Sequence, residues 1–531
     1  MDHFYPRFKQ LDNVGQHIEA VIELTPAAAK LCESLSLDVA SQQIGRATHA
    51  LVLRPLDDYQ TVCHSREQFA LDISNTQITV YADTDRAASY GIKAVLDMQR
   101  NQMLTTGRCT DWPAMERRGI IEGFYGPPWR LHQELDAIRQ LWENRMNTYI
   151  YSPKDDVYHR ERWNELYPKE HLTNLVRLQE ECQKYQIDLY YMLAPGLSMT
   201  YSSEDDFASL ITKYKQIYSL GIRQFGLLLD DIPEELTHES DRRMFGSYGE
   251  AHNYVCVKAY HALKAIDSSI TFTVCPTIYR GSPSQEYITN MGRALPEDVS
   301  LFWTGPKTCS FDLSAAHTRD FIKHTGHRPL YWDNYPVNDA EMVMEMHLAP
   351  IANRDYELAE LSNGIVANTM EHKEASMLSI ITYAQFMWEP NRYDKEQSFV
   401  NAVEQCLGSA YCNAAQILME FCYLSCIRHT YHIKLDRMLR CHTAFSREEL
   451  VRYLEFCAQE LLHLQRHCEN QDFIHEVAPW LNKSLTFCTL VCDVLLSNTS
   501  TDVLRQRIDS YLRDEYEVCK HEANLLYDYL G

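Results

Sequence analysis

Two adjacent aspartates, Asp230 and Asp231, close the apolar run QFGLLLDD and are the sharpest candidates for chemistry in the chain. Comparable groups close other apolar runs. Glu122 lies near the end of RGIIEGF, Lys154 ends NTYIYSPK with Asp155 and Asp156 directly after it, and Tyr279 ends TFTVCPTIY; Trp332, Asn334 and Asp339 lie in WDNYPVND, and Asn368 lies in NGIVANTM. Carboxylates and amides offer two partners to vicinal hydroxyls, and an aromatic face covers the C–H side of a sugar ring, so this set suits a sugar pocket. Like charges close together push their pKa values apart, leaving one acid ionised and one protonated. That is the division of labour that cleavage of a glycosidic bond needs. Consecutive strand residues point to opposite faces, so the two acids are poorly placed to flank a bond as separate nucleophile and acid. The substrate itself then supplies the nucleophile.

Blander readings compete. An isolated Asp-Asp pair at a strand end more often caps a helix or solvates a loop. LLLDD also resembles a Walker-B strand, but no G-x-x-x-x-G-K-[ST] loop accompanies it, which excludes a P-loop ATPase. A dinuclear metal site is opposed by Lys154 among the supposed ligands and by the scarcity of histidine there. The expectation is a site without metal or cofactor.

The elements that must position these residues follow from pattern. Eight strand candidates start near Arg118, Asn147, Asp188, Gln224, Thr271, Ser300, Arg328 and Asn363, with amphipathic helices between most of them. Near-continuous apolar strands alternating with helices imply a parallel sheet buried on both faces, and eight such units imply a (β/α)8 TIM barrel with its chemistry at the strand C-termini. Before it, runs such as HALVLR and QITVYA and a helix over Asp85 to Arg100 form a small α/β domain. After it, long helices such as Asn413 to Arg440, Arg447 to Cys468 and Val503 to Leu530 are expected, with no strand. The expected domains are 1–112, 113–395 and 396–531.

The motifs GIIEGFYGPPW (Gly119 to Trp129), YSPKDD, LLLDD, CPTIY, WTGPK (Trp303 to Lys307), WDNYPVND and the Asn368 segment stand in an order that resembles glycoside hydrolase family 84, the β-N-acetylglucosaminidases that include protein O-GlcNAcases. The resemblance spans all eight strands and, more weakly, the flanking regions of bacterial members. It implies a retaining exo-β-N-acetylglucosaminidase in which the 2-acetamido oxygen attacks the anomeric carbon to give an oxazoline. It further implies Asp230 orienting the acetamido N–H, and Asp231 as general acid and then base. Tyr279 and Asn334 would place the acetamido oxygen and the aspartates, and Trp332 would wall the acetyl methyl. Asp339 would accept from the 4- and 6-hydroxyls, with Asn368, Lys154 and the Gly119 carbonyl on the remaining hydroxyls. Glu122 reads as a structural partner of the barrel, and Tyr125 and Trp303 as packing or pocket wall. Ala340 follows Asp339 where many relatives carry an aromatic.

Composition narrows the partners. With 50 Lys+Arg against 73 Asp+Glu in 531 residues, the net charge of −23 argues against nucleic acid and anionic membrane. There is no apolar stretch long enough to span a bilayer and no signal-peptide pattern at the N-terminus. Seventeen cysteines without a C-x-x-C pair read as reduced thiols of a cytoplasmic protein. The expected partner is a GlcNAc-bearing glycoprotein or glycan, with a possible homodimer through the helical region. The alternatives are a hyaluronidase-type endo-hexosaminidase, whose polyanionic substrate the net charge repels, and a GlcNAc-binding protein without turnover, which retention of both aspartates disfavours.

Overall fold

A computed structural model describes residues 8–12, 14–37, 47–428, 433–441, 444–496 and 499–530. The first strands, β1 (Gln10–Asp12), β2 (Ile22–Leu24), β3 (His49–Arg54), β4 (Phe69–Ile73), β5 (Gln77–Ala82) and β6 (Gly107–Asp111), form one mixed sheet in the order β1-β6-β4-β5-β3-β2. The helix Asp85–Arg100 packs on it, started by Thr84, whose hydroxyl accepts from Ala87 N at 3.1 Å and satisfies a free N–H of the first turn.

Eight further strands close into a barrel: β7 (Arg117–Glu122), β8 (Thr148–Tyr151), β9 (Asp188–Leu193), β10 (Gln224–Leu228), β11 (Thr271–Cys275), β12 (Ser300–Trp303), β13 (Pro329–Asp333) and β14 (Gly364–Asn368). Each pairs in parallel with the next, and β14 pairs with β7 to complete the ring. The period-two alternation of strand side chains decides which residues go inside. In β7, Ile120 joins the layer shared with the outer helices while Ile121 joins a separate interior cluster with Ile150, Met192, Leu228, Phe302 and Val366. Side chains therefore fill the interior below the strand ends, and the C-terminal mouth is where a barrel of this kind places its ligand. Arg117 braces the opposite end, donating to Tyr190 Oη at 3.1 Å and Ser300 Oγ at 2.7 Å.

The flanking parts are tied to the barrel by polar bonds. Trp388 Nε1 donates to Asp111 Oδ2 at 3.0 Å, and Tyr90 Oη donates to the Met146 carbonyl at 3.0 Å. On the other side, Trp480 Nε1 and Glu517 N both donate to the Met344 carbonyl, at 2.9 and 2.8 Å, within the segment that follows β13. Among the described residues after 395 there is no named strand, and none of the helices is long and apolar enough to cross a membrane. One expected helix is broken. Among the described residues of Asn413 to Arg440, Cys412–Phe421 and Ile433–Leu439 are helical, with a turn at Ser425 and Arg428 after the first, closed by reciprocal backbone bonds of 3.1 Å. The segment Val503 to Leu530 likewise divides into Thr501–Arg513, Lys520–Asn524 and a short 3-10 stretch.

Candidate active site

The acid pair owes its geometry to where β10 stops. Leu228 is the last strand residue, Leu229 N donates to the Cys275 carbonyl at 2.9 Å, and Asp231 takes φ = +53°. That left-handed conformation costs a non-glycine residue on the order of 1 kcal/mol, and here it abolishes the alternation that would send consecutive side chains apart. Asp230 and Asp231 consequently border one cavity of about 370 Å³ at the barrel mouth, together with Lys154, Tyr279, Trp332, Asn334, Asp339 and Asn368.

Asp230 is buried, and its Oδ2 accepts from the Lys154 ammonium, which is buried with it. Burial alone would push the carboxyl up, but the Lys154 charge and hydrogen bond outweigh it and hold the group below the ordinary carboxylate value. Lys154 responds in the matching direction, raised by Asp230 against its own burial. The pair is therefore ionised across the neutral range. The other oxygen of Asp230, Oδ1, is buried with no hydrogen-bond partner. Asp155 is exposed, and Asp156 is occupied by Tyr151 Oη at 2.9 Å and Tyr167 Oη at 2.6 Å, so Lys154 serves Asp230 rather than its sequence neighbours.

Asp231 faces outward and is gripped by two phenols, Tyr279 Oη at 3.0 Å on Oδ1 and Tyr125 Oη at 2.8 Å on Oδ2. Arg160 donates to Tyr125 Oη at 2.9 Å and, more loosely, to the Asp231 carbonyl at 3.4 Å. Burial and the neighbouring Asp231 push the Tyr279 hydroxyl far up, so it keeps its proton. A hydroxyl can donate to a carboxylate or accept from a carboxylic acid, so both phenols can stay engaged in either protonation state of Asp231.

The opposite wall is a web of amides. Asn334 Oδ1 accepts from Trp332 Nε1 and from Asn368 Nδ2, each at 2.9 Å, and Asn334 Nδ2 donates to the Thr308 carbonyl at 2.9 Å. Asn368 Oδ1 accepts from Gly123 N at 3.2 Å. The Trp332 ring lies so close to Gly123 that a Cβ there would stand 2.5 Å from Cζ2, which is why this strand end carries glycine. Asp339 Oδ2 accepts from Tyr125 N at 2.9 Å, and burial raises its carboxyl above the ordinary value.

Two expectations are corrected. Gly119 does not line the cavity: it sits mid-strand in β7, paired with Thr148 on one side and Val366 on the other, and a Cβ there would strike the Thr148 carbonyl at 1.8 Å. The glycine of the site is Gly123, one residue past the strand end. Tyr125 is more than wall, since its hydroxyl holds Asp231. Its place directly after a strand end, three residues beyond Glu122, was the available signal. Trp303 is core as expected, stacked on Phe321 at 4.9 Å. Glu122 is buried beneath the site with Tyr149 Oη at 2.7 Å, Trp129 N at 3.1 Å and the side chain of Glu134 as partners. Among the described residues no group of three His, Cys, Asp or Glu is placed to hold a metal ion.

Fold and cavity together define a class, a (β/α)8 barrel whose strand ends frame a compact carboxylate-and-amide pocket walled by aromatics. Comparison with known sequences narrows it. The profile of a family described as beta-N-acetylglucosaminidase matches residues 118–421, more than half of the chain. The chain belongs to this β-N-acetylglucosaminidase family of glycoside hydrolases, as the ordered motifs implied. It is 33% identical over 272 residues to the protein O-GlcNAcase of Rattus norvegicus and 32% identical to that of Mus musculus. Each match covers 50% of this chain and 29% of the relative, so the similarity spans under a third of those longer proteins. A solved mutant of an O-GlcNAc hydrolase from Thermobaculum terrenum is 30% identical with a TM-score of 0.74, covering 78% of this chain and 95% of that one. The structure named CpGH84B, 21% identical, shares the fold across 99% of this chain and 100% of its own, with a TM-score of 0.83.

Proposed function

We propose that this protein hydrolyses terminal β-linked N-acetylglucosamine with retention of configuration, using the sugar's own acetamido group as nucleophile. The observation that carries the reading is the Asp230 carboxylate at the cavity wall, ionised and fixed by Lys154 through one oxygen while the other, buried, lacks a hydrogen-bond partner. An acetamido N–H is the donor it lacks. Binding it there increases the negative character of the amide oxygen, which attacks the anomeric carbon to close an oxazoline. As the leaving oxygen departs, Asp231 gives it a proton; the resulting carboxylate then takes a proton from the water that opens the oxazoline. Tyr279, on the Asp231 side of the cavity, orients the acid and offers its hydroxyl to the amide oxygen. Trp332 lies against Gly123 as the wall for the acetyl methyl, and Asp339 and Asn368 accept and donate to ring hydroxyls.

The relatives named as O-GlcNAcases point to sugar on protein serine or threonine as the substrate, with a glycan end as the second candidate. A cytoplasmic setting goes with this reading and rests on a complement of seventeen cysteines, most of them buried as thiols. Turnover of a chromogenic β-N-acetylglucosaminide tests the assignment. The expected result is hydrolysis by the wild type with none of the matching β-glucoside cleaved. Equal rates on the two glycosides would sink substrate assistance, and no turnover of either would sink the enzyme reading.

A further inference from the structure

Two cysteines meet behind the amide wall. Cys309, in the loop after β12, lines the cavity and is partly exposed. Cys426, in the turn after the helix Cys412–Phe421, is 8% exposed, and its side chain shares a hydrogen bond with that of Cys309. The Sγ of Cys426 also donates to the backbone carbonyl of Asn334 at 3.4 Å. Thr308, the residue before Cys309, supplies the carbonyl that receives Asn334 Nδ2. Asn334 is thus held from both sides by the immediate surroundings of one thiol pair.

We propose that Cys309 and Cys426 are an oxidative modification site, closed to a disulfide by peroxide and reopened by a dithiol, and that closure slows turnover by displacing Asn334. The cavity-side sulfur meets the oxidant first. The Cys309 thiolate attacks peroxide, the O–O bond breaks, water leaves after protonation, and a sulfenic acid remains. Cys426 then attacks that sulfur, the S–O bond breaks, hydroxide leaves and takes up the Cys426 proton as water. Two thiols and one peroxide give one disulfide and two waters. The hydrogen bond with Cys309 and its own burial push the Cys426 thiol well up, which fits it to the resolving rather than the attacking role.

Bond formation brings the two sulfurs from hydrogen-bonding to covalent distance. It consumes the Cys426 S–H that served the Asn334 carbonyl and pulls on the loop that carries the Thr308 acceptor. Asn334 in turn is the shared acceptor of Trp332 and Asn368, so the displacement reaches three residues of the wall.

The test treats the fully reduced full chain with hydrogen peroxide and maps peptides without reduction. The expected result is a peptide pair joined through Cys309 and Cys426 with the loss of two hydrogens. It is accompanied by a fall of roughly tenfold in kcat/KM that dithiothreitol reverses. In Cys309→Ser and in Cys426→Ser the ratio of oxidised to reduced rates stays near one, whatever the reduced rate. Hydrogen exchange over residues 304–310 gives a readout independent of activity and slows in the oxidised wild type only. An inactive reduced protein would count against the glycosidase reading, whereas the thiol pair stands or falls on the cross-link and the exchange. The proposal is overturned if no such cross-link forms, if rate and exchange ignore it, or if both serine variants lose activity to peroxide as the wild type does.

Discussion

Lys154 donates to one oxygen of the Asp230 carboxylate and leaves the other, equally enclosed, without a donor. An unmet buried acceptor costs about 1–3 kcal/mol, and because Asp230 lines the cavity a bound N–H group is the partner proposed to offset that cost. Asp230→Asn retains the shape, removes the charge and strands the Lys154 ammonium. A loss of roughly 10²–10³ in kcat on an aryl β-N-acetylglucosaminide is expected, as for removal of a preorganised electrostatic group. Unchanged kcat in steady-state assays would refute the assignment.

Replacing Lys154 by Met leaves burial as the main influence on Asp230. Its carboxyl then moves from below the ordinary carboxylate value to above it, because the charge that offset desolvation is gone. The acidic limb of the kcat–pH profile should shift to higher pH, with the active anion lost progressively as pH falls through the new value. Breaking a buried pair by deleting one partner also costs on the order of 3–5 kcal/mol of stability, readable from urea midpoints. A profile superimposable on wild type would break the link between the two residues.

For Asp231→Asn, the outcome depends on the aglycone. Good leaving groups such as nitrophenols need little protonation, so their hydrolysis should drop modestly, whereas an alkyl glycoside should lose roughly 10²–10⁴. A uniform loss across an aglycone series would show that Asp231 is not the proton donor.

Tyr125→Phe and Tyr279→Phe each delete one hydroxyl from Asp231. Hydrogen bonds to a charged group contribute about 1.5–3 kcal/mol, so each variant should lose roughly 10- to 100-fold in kcat/KM. Because the two hydroxyls share one carboxylate, the double variant should depart from additivity. A double-mutant cycle with zero coupling would deny the shared grip.

Beneath the site, burial raises the Glu122 carboxyl to about 7 from an ordinary 4.5, and burial with the Glu122 charge raises Glu134 well above its own ordinary value. Folded-state values above the unfolded ones mean that this contribution to stability is full below about pH 4.5 and lost as pH rises through about 7. The loss is on the order of 3 kcal/mol. Glu134→Gln should flatten the decline of the urea midpoint between about pH 5 and about pH 8. Parallel wild-type and variant curves would rule Glu134 out as a source of that decline.

Strand positions were legible because each barrel strand is apolar on both faces and bounded by turn residues. β3 coincides with the run HALVLR and β5 with the alternating QITVYA, and the helix Asp85–Arg100 matches its expected limits. The site residues were legible because barrel chemistry sits at strand ends, which fixes Asp230, Lys154, Tyr279, Trp332 and Asn368 without any contact being known. Gly119 was misplaced because glycines 119 and 123 both lie in the expected run RGIIEGF, and the ladder register shows that 119 is inside β7 and 123 just past its end. The backbone turn at Asp231 was beyond reach, since a positive φ on an aspartate leaves no trace in composition or period. The helix expected through residue 440 failed at a turn, where Ser425 and Arg428 bond locally to each other and Cys426 makes a tertiary bond to Asn334 that the helical pattern does not foretell.

The bond from Gly123 N to Asn368 crosses the seam where the last strand meets the first. Residues from the two ends of the barrel sequence must find each other before Gly123 reaches Asn368, which with Trp332 donates to Asn334. No partial ring, however rich in helix and strand, contains a working pocket. During refolding, circular dichroism should recover ahead of catalysis, and the interval between them times the meeting of the most distant partners in the sheet.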